Sequence, residues 1–205
     1  MSVRWRMLVS NTVLYSSKRT EALCGAGCSS SKMSPTLSEA LNDSERSLLA
    51  DAVALTENHR LHLFPVRADK TPATAHGFKD ASNDPQVVAS LFKKGERIGL
   101  WPGPSGLVVV DIDVKDGAQG EDEWYALTGG RFDHAPQVIT PSGGRHLYFR
   151  KRPGQVFDNT SLSEGIDIRA DAGYVLWPTP DSGYEWDLGY EGEWCSKCTT
   201  SHPLL

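Results

Sequence analysis

Apolar residues recur at two different periods along this chain. Between residues 36 and 58, Leu41, Leu48, Leu49, Ala52, Val53 and Leu55 repeat at helical spacing and predict one amphipathic helix. Leu61-His62-Leu63-Phe64-Pro65-Val66 reads as a strand. Asp84 before Pro85 is an N-cap followed by proline at the first helical position, and the helix it opens carries Val87, Val88, Leu91 and Phe92 and ends at Gly95. Beyond it the period falls to two. Strands are predicted at 97–101, 107–114, 137–140, 145–150, 166–169, 173–177 and 184–187, interrupted by a short helix around 120–127 with Trp124 and Leu127 on one side. The Gly/Pro-rich run 99–106 is a connector, and Asp171 with Gly173 is a hairpin turn. This mixture predicts an α+β domain around one sheet. Residues 1–33 show no sustained period and read as a disordered N-terminal extension. The domain then spans 34–190, and 191–205 is a C-terminal tail. Met33 reads as a working start with a dispensable extension before it; a real N-terminal arm is the alternative.

Composition narrows the class. A chain of 205 residues with 39% hydrophobic and 23% charged residues fits one soluble domain with tails. No apolar run is long enough to span a bilayer, and Arg and Asn interrupt any signal-peptide core in the first 15 residues, so the expected location is the cytoplasm. The net charge of −5 is not the basic balance of a tight nonspecific nucleic-acid binder. It is uneven: residues 1–33 carry +4, the remainder −9. A template would therefore have to be held by a local basic groove. Cys24, Cys28, Cys195 and Cys198 form two knuckle-like pairs, with His202 after the second. They are read either as a zinc site or, given a reducing compartment, as free thiols.

The chemistry concentrates at Val108-Val109-Val110-Asp111-Ile112-Asp113. In a strand, alternate side chains share a face, so Asp111 and Asp113 project together while Val110 and Ile112 are buried. Adjacent carboxylates repel, and a divalent cation is the usual answer. Downstream, Ser142-Gly143-Gly144 forms a turn whose backbone N–H groups can approach a phosphate, and Arg145 and His146 enter the next strand on opposite faces. Asp167 stands between Ile166 and Ile168, and Arg169 shares its face, free to meet phosphate or to pair with Asp167. Lys70 and Lys79 bracket a Pro/Gly-rich loop and can act as point charges toward phosphate.

The order of these runs resembles a known family. Lys70-Thr71-Pro72-Ala73, Gly77-Phe78-Lys79-Asp80-Ala81-Ser82, Ile98-Gly99-Leu100, the Asp111/Asp113 strand, Thr140-Pro141-Ser142-Gly143-Gly144-Arg145-His146-Leu147-Tyr148-Phe149, and Gly165-Ile166-Asp167-Ile168-Arg169-Ala170-Asp171-Ala172-Gly173-Tyr174-Val175 are similar to the bifunctional DNA primase/polymerase (prim-pol) domain of plasmid and phage replication proteins, in the archaeo-eukaryotic primase superfamily. The resemblance covers about residues 45–190. It implies a primase/polymerase fold, with an RNA-recognition-motif-like catalytic sheet beside a smaller α/β unit. It implies Asp111, Asp113 and Asp167 as catalytic ligands of two Mg²⁺ or Mn²⁺ ions. His146 is implied as the nucleotide-binding histidine, and Ser142, Gly143, Gly144, Arg169, Lys70 and Lys79 as further nucleotide contacts.

The implied reaction is nucleotidyl transfer of a (d)NTP onto a 3′-hydroxyl along a single-stranded DNA template. Two alternatives come from other classes: a catalytically inactive relative that binds nucleotide or a replication partner, and a metal-dependent phosphohydrolase or nuclease using the same carboxylates. Family proteins commonly continue into a helical segment and a helicase domain. This sequence ends at Leu205, which reads as a truncated prophage remnant or a stand-alone module working with a separately encoded helicase.

Overall fold

In a computed structural model the described residues are 43–92, 97–129 and 135–187, with side chains described from residue 47. The four cysteines, Met33, the expected N-terminal extension and the C-terminal tail lie outside them.

The β-branched run of the sequence becomes β3 (Leu107–Ile112), and its alternation organises the molecule. Leu107 and Val109 face one hydrophobic core and Val108, Val110 and Ile112 face another, all of them buried. A strand buried on both faces explains the unbroken apolar run before Asp111. β3 is flanked by β5 (Arg145–Arg150) and β7 (Ile166–Arg169). With β4 (Gln137–Ile139), β6 (Thr160–Ser163) and β9 (Glu185–Trp186) they form an antiparallel sheet in the order β6-β7-β3-β5-β4-β9. A second antiparallel sheet, β1-β2-β8, is built from β1 (His62–Val66), β2 (Arg97–Trp101) and β8 (Val175–Leu176). The expected single sheet is thus two. Pro65 sits in β1, at an edge of the smaller sheet, where a missing N–H is tolerated.

The first core fills the space between the sheets. Leu63, Phe64, Val66, Ile98, Leu100, Val175 and Leu176 of the smaller sheet meet Val109, Val138 and Tyr148 of the larger. Two helices extend it: α1 (Asp43–His59) through Ala52 and α2 (Pro85–Leu91) through Val88. Asp84 caps α2 as expected, its carboxylate accepting from the N–H groups of Gln86 and Val87. The second core lies on the opposite face of the larger sheet. There α3 (Gly120–Thr128) packs Trp124 against β3 and β7.

Three expectations are corrected. The buried face of α3 is Gly120, Trp124 and Thr128, at i, i+4, i+8, whereas Leu127 is 42% exposed. Thr128 is tolerated inside because its hydroxyl donates to the Trp124 carbonyl at 2.8 Å. The turn at 171–173 does not close a hairpin, since β7 and β8 belong to different sheets and the chain crosses between them there. Asp171 instead accepts from Lys151 Nζ at 2.6 Å and from the Phe157 N–H at 2.8 Å, fastening that crossing. Strands also run shorter than expected, β3 stopping at Ile112 and β8 covering two residues. Among the described residues no helix is long and apolar enough to cross a membrane.

Candidate active site

On the first-core face of β3 the apolar series Leu107, Val109 gives way to Asp111. Asp111 lies directly across from His146 on β5 and from Asp167 on β7, so three strands abreast carry the three side chains. His146 Nε2 stands 3.4 Å from Asp111 Oδ1. Arg169, two residues beyond Asp167 and on the same face, reaches Asp167 Oδ2 through Nη2 at 2.8 Å and Asp111 Oδ2 through Nε at 3.5 Å. Asp113 lies just past the end of β3. Its N–H donates to the Gly165 carbonyl at 2.7 Å, and its Oδ1 accepts the Lys115 N–H at 2.8 Å. Asp111, Asp113, Asp167 and Arg169 line one cleft of about 260 Å³. Beside the cleft the backbone is tightly packed: a Cβ on Gly120 would lie 2.5 Å from the carbonyl oxygens of both Asp113 and Gly165, so only glycine lets α3 start there.

A larger cavity of about 370 Å³ adjoins the cleft and shares Asp111 and Arg169 with it. His146, Lys70, Phe78, Tyr174 and Tyr184 line it as well. Lys70 holds a left-handed backbone (φ +69°), a conformation that costs a non-glycine residue about 1 kcal/mol or more. Two contacts stabilise it: Tyr174 Oη donates to the Lys70 carbonyl at 2.8 Å, and Lys70 Nζ donates to Tyr184 Oη at 3.2 Å. The Tyr184 ring lies 5.6 Å from that of His146. The cavity therefore interleaves charged and aromatic side chains.

A family model for the bifunctional DNA primase/polymerase N-terminal domain matches residues 52–196. The chain belongs to that family. Comparison with curated proteins finds no match. A prim-pol domain carries primase/polymerase-type nucleotidyl transfer at the level of the family, acts on nucleotides and DNA, and typically depends on divalent metal.

The electrostatics of this prim-pol cleft centre on Asp111. Directly opposed antiparallel partners have Cβ atoms about 5 Å apart. Two unit charges at that separation repel by about 3 kcal/mol at the effective dielectric of a half-buried site. Arg169 and His146 offset this. Burial pushes the Asp111 carboxyl up, but the His146 hydrogen bond and charge, followed by those of Arg169, outweigh it and hold the group below the ordinary carboxylate value. Beside them the fully buried Tyr148 hydroxyl is pushed up by burial and, secondarily, by the charge of Asp111.

The donor set suits a hard divalent cation: carboxylate oxygens opening on one cleft. Among the described residues, no three His, Cys, Asp or Glu side chains converge on one point as they stand. Arg169 pairs with Asp111 and Asp167, and the Lys115 N–H holds Asp113, which lies past the end of β3.

Of the residues singled out from sequence, Asp111, Asp113, Asp167 and Arg169 line the cleft, and Asp111, His146, Arg169 and Lys70 line the adjoining cavity. Lys79 does not; it is exposed on a 3₁₀ turn at 77–80 and lines neither cavity. Nor do Ser142, Gly143 and Gly144 line either. The Gly143 N–H donates to the Thr140 carbonyl, and a Cβ on Gly144 would lie 2.3 Å from the Ile112 carbonyl. Gly144 serves the close approach of β5 to β3, which sets His146 opposite Asp111, while Gly143, at φ +89°, serves the turn before it. Tyr174 and Tyr184 were missed. Tyr174 stands within a quoted run, but nothing local marks it as a cavity wall, and Tyr184 is brought in only by the long-range fold.

Proposed function

We propose that the chain is a DNA-dependent primase/polymerase that transfers (d)NTP-derived nucleotides onto a 3′-hydroxyl, with the Asp111 cleft as its catalytic centre. The observation that carries this reading is the three-strand alignment of His146, Asp111 and Asp167, bridged by Arg169 and opening onto a cavity lined by charged and aromatic side chains. Asp111, Asp113 and Asp167 would hold the divalent ions. When bound, Mg²⁺ or Mn²⁺ lowers the pKa of the attacking hydroxyl and neutralises the triphosphate and the leaving pyrophosphate. His146 and Lys70 supply donors to the phosphates from positions set by the fold, and Arg169 adds a guanidinium whose planar fork matches phosphate. Phe78, Tyr174 and Tyr184 offer the flat apolar surface that a base stacks on.

The larger sheet supports an RNA-recognition-motif-like arrangement. Four of its strands run in the order β7-β3-β5-β4, with α3 crossing from β3 to β4 over one face. Phage- or plasmid-type replication is the setting this reading implies.

The test is an assay of the purified full chain with primed and unprimed single-stranded DNA, dNTPs or NTPs, and Mn²⁺. The expected result is template-dependent product longer than the primer, or new primers. Release of mononucleotides without extension would instead establish a hydrolase, and nucleotide binding without either product a non-catalytic relative.

A further inference from the structure

Asp111 and Asp167 face each other across the β3–β7 ladder, and the cation between them is supplied by the protein itself. Arg169 reaches both carboxylates from one guanidinium, with Nη2 on Asp167 and Nε on Asp111. Arg169 also lines both the acidic cleft and the adjoining cavity. A guanidinium and a divalent ion cannot both fill the gap between two opposed carboxylates. A triphosphate entering the cavity offers Arg169 the other anion whose planar, bidentate geometry it matches.

We propose that Arg169 is a latch that couples metal and nucleotide binding. Without ligand it neutralises Asp111 and Asp167. On nucleotide entry it transfers to phosphate and releases both carboxylates to a cation. The inference rests on the proposed nucleotidyl-transfer function and adds to it a sequence of events: neither ligand binds well until Arg169 has changed partner. By linkage, each ligand then raises affinity for the other by the same factor.

The latch is separable from simple charge effects. Asp167→Asn removes a negative charge and also frees Arg169, so it tightens metal-free dATP binding on either account. Only a latch makes that gain depend on Arg169. Equilibrium binding of dATP in EDTA is measured for the full chain, Asp167→Asn, Arg169→Gln and the double variant, with thermal melts verifying that each is folded. The expected result is about 5- to 10-fold tighter binding for Asp167→Asn over the parent, and under about 2-fold for the same change made on Arg169→Gln. A second measurement follows Mn²⁺ alone by loss of its free EPR signal. Arg169→Gln tightens Mn²⁺ binding by about 10-fold. Arg169→Lys, which keeps the charge but loses the fork, recovers a substantial part of that gain. An Asp167→Asn gain of equal size in both backgrounds, or Arg169→Lys behaving like the parent toward Mn²⁺, overturns the latch while leaving the function standing. A parent chain that binds no dATP even with Mn²⁺ overturns both.

Discussion

Replacing Asp111 with Asn keeps the side chain's volume and removes its charge. Metal-borne charge stabilisation is worth several kcal/mol in a transition state, so Asp111→Asn should lower extension by on the order of 10³-fold with the fold retained by circular dichroism. The same residue predicts an acid dependence. Its carboxyl is held below the ordinary value of 3.8, so the stability it contributes is complete above that pH and is lost as pH falls through the lower native value. Urea midpoints at about pH 6 and about pH 3 should differ less in Asp111→Asn than in the parent. At this scale the sequence was most legible. A period of two is enough to put Asp111 on the face of β3 opposite Val110 and Ile112, and Asp167 between two buried isoleucines. Arg169 had two readings, phosphate ligand or partner of Asp167, and pattern cannot choose between them. Only the distance to Asp111 shows that it also bridges the strands.

Elements were legible where burial imposes a period and illegible where it does not. β6, Thr160-Ser161-Leu162-Ser163, is an exposed edge strand with no apolar alternation, so no strand was expected there. The i, i+3 spacing puts Trp124 and Leu127 on one side of α3, but the buried row runs i, i+4, i+8 through Gly120, Trp124 and Thr128 and leaves Leu127 exposed. Two element-scale predictions follow from close contacts. Gly144→Ala drives a Cβ into the Ile112 carbonyl beside Asp111 and should destabilise the protein by about 1–3 kcal/mol while disturbing the β3–β5 register, read as a lower urea midpoint and weaker nucleotide binding. Asp171→Ala strands the largely buried Lys151 and the Phe157 N–H, at a cost of about 2–3 kcal/mol. Adding Lys151→Met should recover part of that loss, because removing both members of a buried pair costs less than removing one.

The site is a property of the whole molecule. Asp111, His146 and Asp167 come from the larger sheet, whereas Lys70 and Phe78 come from the segment between β1 and α2, and Tyr174 leads into β8 of the smaller sheet. The core between the sheets holds the two sets in register, and Tyr148, Trp177 and Trp186 meet ring to ring beside it. Two of the chain's six tryptophans, Trp177 and Trp186, therefore report on the interface that shapes the cavity. Denaturant curves followed by fluorescence and by nucleotide binding should coincide, and an early loss of binding would show that the sheets separate before they unfold. Composition contributes little at this scale. The acidic balance of the chain gives no hint of a nucleic-acid enzyme, and the family was legible only through the order of short motifs. The most direct test of the account is single-turnover incorporation of a labelled dNMP into a primed template in Mn²⁺, by the full chain and by Asp111→Asn at equal folded concentration. The account predicts incorporation with stoichiometric pyrophosphate by the parent and a loss on the order of 10³-fold in the variant. Equal incorporation by the two proteins, or none by the parent while it remains folded, would contradict it.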